Sequence, residues 1–311
     1  MDLLKYVKVL SLEDYDAFHI TTEDDLLFDS IKKCYNHINE IITTLTKPNS
    51  NLVNYINSNI NLYNEIKEYS GFGERLTPMS ILAVADPLFF DRINNYSLPD
   101  WVTPDVYNFT QNYADIMFGL MFKENANLLK WTNGLLTNKI FCNMLKYFDS
   151  LWMNIKYPRF KNYLICHDIN LINNIEDLKS IHMFSAHDVT LAGLMSMFEI
   201  VFDFRPRTAS AFMVELWRYP NPNYLSSNIS SLTSSNDNWI YSTDPYVPFI
   251  YELKFLYKTD RNGINEVKNL KRDVRFEIAI QMVKDKLVAT LEDALITCTH
   301  RRTIDIIFHD F

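Results

Sequence analysis

Phe184-Ser185-Ala186-His187-Asp188-Val189-Thr190-Leu191 decides how the rest of this chain is read. A short apolar run over 180–185 stops at a histidine and an aspartate, and helical spacing takes over across 191–201. An apolar segment of strand length that ends just before a helix is the repeating unit of an α/β sheet, so the spacing predicts a strand-to-helix junction at His187 and Asp188. A helix N-terminus turns unbonded N–H groups and a partial positive charge outward, which would favour a phosphoryl group beside His187. Asp188 can protonate a leaving oxygen if its surroundings raise its pKa. The residues alone leave a second reading open, in which Asp188 only caps the helix and His187 fills a hydrogen-bonded structural position.

Downstream of this junction, 211–217 and 249–257 read as further strands, separated by a Ser/Asn-rich loop over 220–238. The turn Asp260-Arg261-Asn262-Gly263 closes the later strand, and 275–295 reads as helix. Upstream the pattern is helical. A short alternating segment at 7–10 closes a strand and 12–18 is an acidic loop; Asp24-Asp25 then precedes an apolar stripe of Leu26, Leu27, Ile31, Cys34, Ile38, Ile41, Ile42 and Leu45. A second helix emerges from 49–64 and runs through Tyr69 to Gly71-Phe72-Gly73. Thr77-Pro78 and Thr103-Pro104 each pair a capping residue with a first-turn proline, predicting helices over 76–90 and from 103 through Leu120. One more helix carries Gly134, Leu135, Leu136, Ile140, Met144 and Leu145 to about Trp152. Helices first, then strands alternating with helices, describe an α/β sheet domain bearing a helical insertion, and the simplest placement for the sheet's opening strands is upstream of Met1.

The composition narrows the function. With 311 residues, 48% of them hydrophobic, the chain can bury a large core. Its formal net charge of −8 excludes a nonspecific nucleic-acid or anionic-membrane binder, either of which needs a cationic face. The first residues show no secretory apolar core, and no run of about 18 or more apolar residues occurs. Cys34, Cys142, Cys166 and Cys298 have no C-x-x-C spacing, so they read as thiols outside zinc or redox chemistry, with one disulfide as the alternative. Histidines 19, 37, 167, 182 and 309 stand singly and form no metal set, so neither metal nor cofactor is expected. Asn95, Asn108 and Asn228 head N-x-S/T triplets, which are acceptors only in a secretory compartment.

Three segments carry a family resemblance. Phe184 to Thr190 resembles the His-Asp motif of branch-two histidine phosphatases, whose animal acid phosphatases of prostatic and lysosomal type carry a strand ending in Tyr/Phe-Ser-Ala-His-Asp-x-Thr. Ala85-Asp86-Pro87-Leu88 through Asn95-Tyr96-Ser97-Leu98-Pro99-Asp100-Trp101-Val102-Thr103 is similar to their cap segment ending in Leu-Pro-x-Trp, and Val214-Glu215-Leu216-Trp217 to the Glu-Leu strand after the motif. Order and spacing agree over most of 10–257, and the likeness fades from Thr259 onward. The resemblance implies a three-layer α/β/α sheet of histidine phosphatase type with a helical cap. On that plan 1–20 is a lead-in strand and loop, 21–130 the cap, and 131–311 the α/β domain. It also implies a phosphohistidine mechanism, in which His187 binds the phosphoryl group and Asp188 is the general acid, with a phosphate monoester or phosphate as ligand, no nucleic acid partner, and a homodimer as an open assembly. Cys34 corresponds to a cysteine bridged in some relatives, with Ala211 where its mate should be.

In that family the nucleophilic histidine sits in Arg-His-Gly-x-Arg-x-Pro, and no Arg-His-Gly occurs in this sequence. His300-Arg301-Arg302-Thr303 lacks the glycine and reads as a charged surface segment; Arg205 and Arg207 read as solvated loop residues, with reach to an anionic substrate from the loop after the motif helix as the alternative. The expectation is therefore a truncated or degenerate acid phosphatase with activity near background, or a pseudophosphatase that keeps the fold for binding.

Overall fold

The first half of the molecule is built by helices whose ends follow from local chemistry. The structure, a computed structural model, describes residues 41–123, 125–164, 166, 181–208, 210–224, 245–258, 264–266 and 274–288. Residues 41–45 are helical and bury Ile41 and Leu45. Ser50 caps α1 (Asn51–Ser58), its hydroxyl accepting from the Val53 N–H at 3.2 Å. After Asn59 comes α2 (Ile60–Tyr69), which ends where Gly71 (φ 84°) and Gly73 (φ 55°) take left-handed backbone that a side chain would strain. Thr77 and Ser80 form a reciprocal capping box at the start of α3 (Pro78–Ile93), with N–H to hydroxyl distances of 3.1 and 3.2 Å. Thr103 caps α4 (Pro104–Met121), accepting from the Val106 N–H at 3.2 Å. Val106, Phe109, Tyr113, Met117 and Met121 recur at intervals of three and four along α4 and are all buried.

The long helix expected to reach Trp152 is two elements, α5 (Ala126–Leu145) and α6 (Ser150–Ile155). Asp149 makes the break. Its Oδ1 accepts from the Trp152 N–H at 2.8 Å, while the Tyr251 hydroxyl accepts from the Asp149 N–H at 2.9 Å and donates to Asp149 Oδ2 at 3.0 Å. The bend turns Phe148 inward onto Tyr251 (ring centroids 3.7 Å apart), Trp152 (4.4 Å) and Phe276 (4.6 Å). Aromatic packing across three distant stretches of chain thus outweighs continued helix.

After α7 (Asp188–Met197) come β1 (Ala211–Pro220) and β2 (Phe249–Lys258), paired antiparallel from Ala211 opposite Lys258 to Pro220 opposite Phe249. The short strands β3 (Ile264–Glu266) and β4 (Val274–Arg275) also pair antiparallel with β2, and α8 (Phe276–Val283) follows. β2 alternates, burying Tyr251, Leu253, Phe255 and Tyr257. One apolar cluster joins these side chains to α1 through α8, from Ile41 to Leu287.

Mixed helix and sheet agree with an α/β protein, but four expectations change. Every strand pair among the described residues is antiparallel, so the parallel sheet of a three-layer α/β/α plan is not among them. The run before His187 is not a strand: 181–187 carry no regular structure, and Ile181 and Met183 are 65% and 88% exposed. A strand exists only through a neighbour that takes up its N–H and C=O groups, and none of the described strands pairs with this segment. The helix expected over 275–295 stops at Val283, because 284–288 turns back over α5, where the backbone of Lys286 and the side chain of Val288 lie against Gly134 with no space for a Cβ. Cys142 and Cys166 are joined in a disulfide, with Cα atoms 5.4 Å apart, so the reading of these two as free thiols gives way to a disulfide. Residues 1–40, the turn 260–263, Cys34, Cys298, Asn228, histidines 19, 37, 167, 300 and 309, and Arg301 to Thr303 lie outside the described residues.

Candidate functional site

His187 and Asp188 sit at the start of α7. His187 is its N-cap, in extended backbone (φ −84°, ψ 163°), and its carbonyl accepts from the N–H groups of Thr190 (3.0 Å) and Leu191 (3.2 Å). Its imidazole makes no capping bond and is exposed. The histidine is therefore held by its backbone while its ring faces outward. α7 itself is fixed from behind: Asn133 on α5 donates to the Thr190 carbonyl at 3.0 Å and takes a hydrogen bond from the Thr132 hydroxyl at 2.8 Å. A methyl at Gly193 would run into that Asn133 side chain, so glycine here is what lets α5 and α7 approach.

Asp188 is the first residue of α7 and is only partly exposed. Its Oδ1 accepts from the Val189 N–H at 2.8 Å, and its Oδ2 accepts from Nε of Arg205 at 2.9 Å, with Nη2 of the same guanidinium in ion-pair contact at 2.9 Å. Arg205 spends its remaining arm on Asp86 Oδ1 of α3, and its backbone N–H donates to Asp115 Oδ1 of α4 at 2.8 Å. The Arg205 side chain is 14% exposed, with its guanidinium carbon 5.5 Å from the centre of the Phe118 ring. Arg207 Nη2 lies 3.9 Å from Asp115 Oδ2, and its guanidinium covers the Phe89 ring at 4.8 Å. Burial pushes the Asp115 carboxyl above its ordinary range; the Arg205 N–H bond and the Arg207 and Arg205 charges pull it back, and Asp203 adds to the rise.

Arg205 is thus not a solvated loop residue. It joins α3, α4 and α7, one carboxylate from each. The sequence brought His187 and Asp188 to notice but missed Asp86, Asp115 and the role of Arg205. One signal was present: Asp86 and Asp115 interrupt the apolar stretches Ile81 to Leu88 and Ala114 to Met117, where a half-buried carboxylate needs a cationic partner.

Chemically, three carboxylates face two guanidiniums here, and each nitrogen of the Arg205 guanidinium lies against a carboxylate oxygen. Both Asp188 oxygens act as acceptors. No group of three His, Cys, Asp or Glu side chains is arranged to hold a metal ion among the described residues. An open groove of about 560 Å³ lies elsewhere, between α1, α2 and α4; Tyr55, Asn59, Asp105, Asn108 and Asn112 line it, and it shares no residue with this network.

The chain is similar to prostatic acid phosphatase of Mus musculus, 22% identical over 200 residues that make up 63% of this chain and 45% of the relative. The lysosomal acid phosphatase of Xenopus laevis is 22% identical over 205 residues, 65% of this chain and 41% of that protein. Prostatic acid phosphatase of Bos taurus is 25% identical over 138 residues, 43% of this chain and 29% of the relative. The likeness is to acid phosphatases. These distant homologues support a histidine acid phosphatase-like assignment, and the chain spans less than half the length of the curated relatives it matches. No protein-family model matches the chain.

Proposed function

We propose that this is a histidine acid phosphatase-like protein whose His187 and Asp188 face a phosphate monoester or inorganic phosphate, and that the 311-residue polypeptide by itself hydrolyses such esters at close to the uncatalysed rate. The carrying observation for the site is the exposed His187 ring at the N-terminus of α7, with no hydrogen bond to a described residue, directly before Asp188. Two observations support the low activity. The sequence holds no Arg-His-Gly triplet to supply a phosphoryl-accepting histidine. The guanidinium beside Asp188 is already committed to carboxylates, and Asp188 offers both oxygens as acceptors. General acid catalysis alone is worth about 10²–10⁴-fold, whereas the covalent step and the charge stabilisation of the phosphoryl oxygens supply most of the rest. The same commitment of Arg205 favours, as a second reading, a protein that keeps this fold to bind and not to turn over.

The test combines turnover and binding. Purified chain, H187A and D188A are assayed with a chromogenic phosphate ester at acid pH, and all three are expected to match buffer. Turnover by the unaltered chain that both variants lose would overturn the low-activity proposal. Separately, inorganic phosphate is expected to move the His187 imidazole resonances in an NMR titration, the assignment coming from H187A; unmoved resonances would remove the phosphate-facing reading itself.

A further inference from the structure

We infer that the groove between α1, α2 and α4 binds a neutral polyhydroxylated ligand, a short oligosaccharide, at a place separate from His187 and Asp188. Its volume of about 560 Å³ falls within the roughly 300–1,000 Å³ of small-molecule sites. The floor of the groove is fixed. The Tyr55 ring stacks on the buried Phe109 ring, with centroids 5.2 Å apart and 12° between the planes. The Tyr55 hydroxyl donates to the Phe109 carbonyl at 3.5 Å and is hydrogen-bonded to the Asn112 side chain. Where α1 gives way to α2, Asn59 leaves the helical conformation (φ −126°, ψ 34°) and its side-chain amide donates to the Tyr55 carbonyl at 2.8 Å, which sets the first turn of α2 at the edge of the groove.

The lining selects the ligand. Asn61 on α2 and Asp105 and Asn108 on α4 are exposed, and their side chains make no hydrogen bond to a described residue. A carboxamide offers two donors and an acceptor at one tip, and a carboxylate accepts from more than one hydroxyl. The vicinal hydroxyls of a sugar, donors and acceptors at once, match that set. Ile60, 45% exposed, adds apolar surface that the C–H groups of a sugar ring would cover. No lysine or arginine lines the groove and its one charged residue, Asp105, is acidic, so an anionic ligand finds no partner. A single carboxylate at an exposed site also gives little hold on a cation.

Local structure supplies an independent reason. Asn108 and Asn112 stand four residues apart on one face of α4, inside an 18-residue helix. Asparagine is a weak helix former, because its side chain competes for backbone groups. Asn108 has no helix end to cap and no core to fill there. A helix face that met only water would be better served by alanine, lysine or glutamate. A carboxamide left unspent against a groove is of use to a ligand.

Maltotriose, chitotriose and mannotriose are titrated into the full chain, with saturation transfer from protein to sugar protons as the readout. Saturable binding of at least one, with a Kd on the order of millimolar, is expected. The double variant N61A/N108A is expected to bind that sugar about tenfold more weakly, two hydrogen-bonding side chains having gone, and to melt no lower than the unaltered chain, alanine being the better helix former. H187A should bind as the unaltered chain does, and neither inorganic phosphate nor tri-alanine amide should compete. Transfer to none of the three sugars overturns the proposal, as does undiminished binding by N61A/N108A. A lower melting temperature of that variant would show the carboxamides engaged in the fold, which also overturns it. Competition by phosphate would move the sugar to His187, and competition by the peptide would make backbone amides what the groove reads; either result is equally fatal.

Discussion

At the scale of single residues, Arg205 decides how Asp188 is held. Its guanidinium reaches Asp188 and Asp86, so Arg205→Ala would leave these two partly buried carboxylates without the cation that bridges them. Because Asp86 and Asp188 retain some solvent contact, the expected loss is about 1–3 kcal/mol, below that of a fully buried pair. Arg205→Lys should recover little of it, since a single ammonium cannot reproduce the forked contacts. Urea unfolding at low salt measures this, and an unchanged midpoint for R205A would show that the network contributes nothing. Asp115 makes a pH-dependent prediction of its own. Burial raises its pKa above the ordinary 3.8, so the fold holds its proton more tightly than the unfolded chain does. Below 3.8 both states are protonated and no penalty exists; as pH rises through the window above 3.8 the folded state is progressively penalised for carrying the charge. Asp115→Asn keeps an oxygen for the Arg205 N–H and removes the charge, so its melting temperature relative to the unaltered chain should climb from acid to neutral pH. A flat or falling difference would contradict the burial of that carboxyl.

At the scale of elements, legibility in the sequence followed whether the cause was local. Thr77-Pro78 and Thr103-Pro104 announced α3 and α4 because a cap and its helix are written within four residues, and Gly71 and Gly73 marked the end of α2 for the same reason. Period-two patterning found β1 and β2, whose inward side chains stand out as Leu253, Phe255 and Tyr257. The break between α5 and α6 was hidden, since its causes are Tyr251 and Phe276, more than 90 residues downstream and invisible to any local window. The segment 181–187 failed in the opposite direction: its composition suits a strand, but pairing is a property of two segments and none of the described strands pairs with it. The site divided along the same line. His187 and Asp188 were visible as a junction motif, whereas Arg205 looked like a loop residue until three elements brought carboxylates to it. Gly193, unremarkable in sequence, is required by the approach of Asn133 from another helix.

At the scale of the whole molecule, the Cys142–Cys166 disulfide does what no single contact can, because it acts on the unfolded chain. The bond joins α5 to the chain just beyond Leu164 across a sequence separation of 24. The loop it closes contains Phe148 and Trp152, which meet Tyr251 and Phe276 from the far end of the sequence, and Phe160, which stacks on Trp152. Closing a loop of that size removes unfolded-state entropy worth roughly 3 kcal/mol on the chain-entropy account. The same loop carries the packing that couples the helical half to β2 and α8, so freeing it weakens contacts between parts of the chain far apart in sequence. The double variant C142S/C166S should therefore unfold at lower denaturant, by about 3 kcal/mol, with both halves of the molecule still melting together. Reductant should lower the midpoint of the unaltered chain toward that of the double variant and leave the variant's own midpoint in place. If reductant leaves the unaltered chain's midpoint where it was, the two cysteines are not bonded in solution.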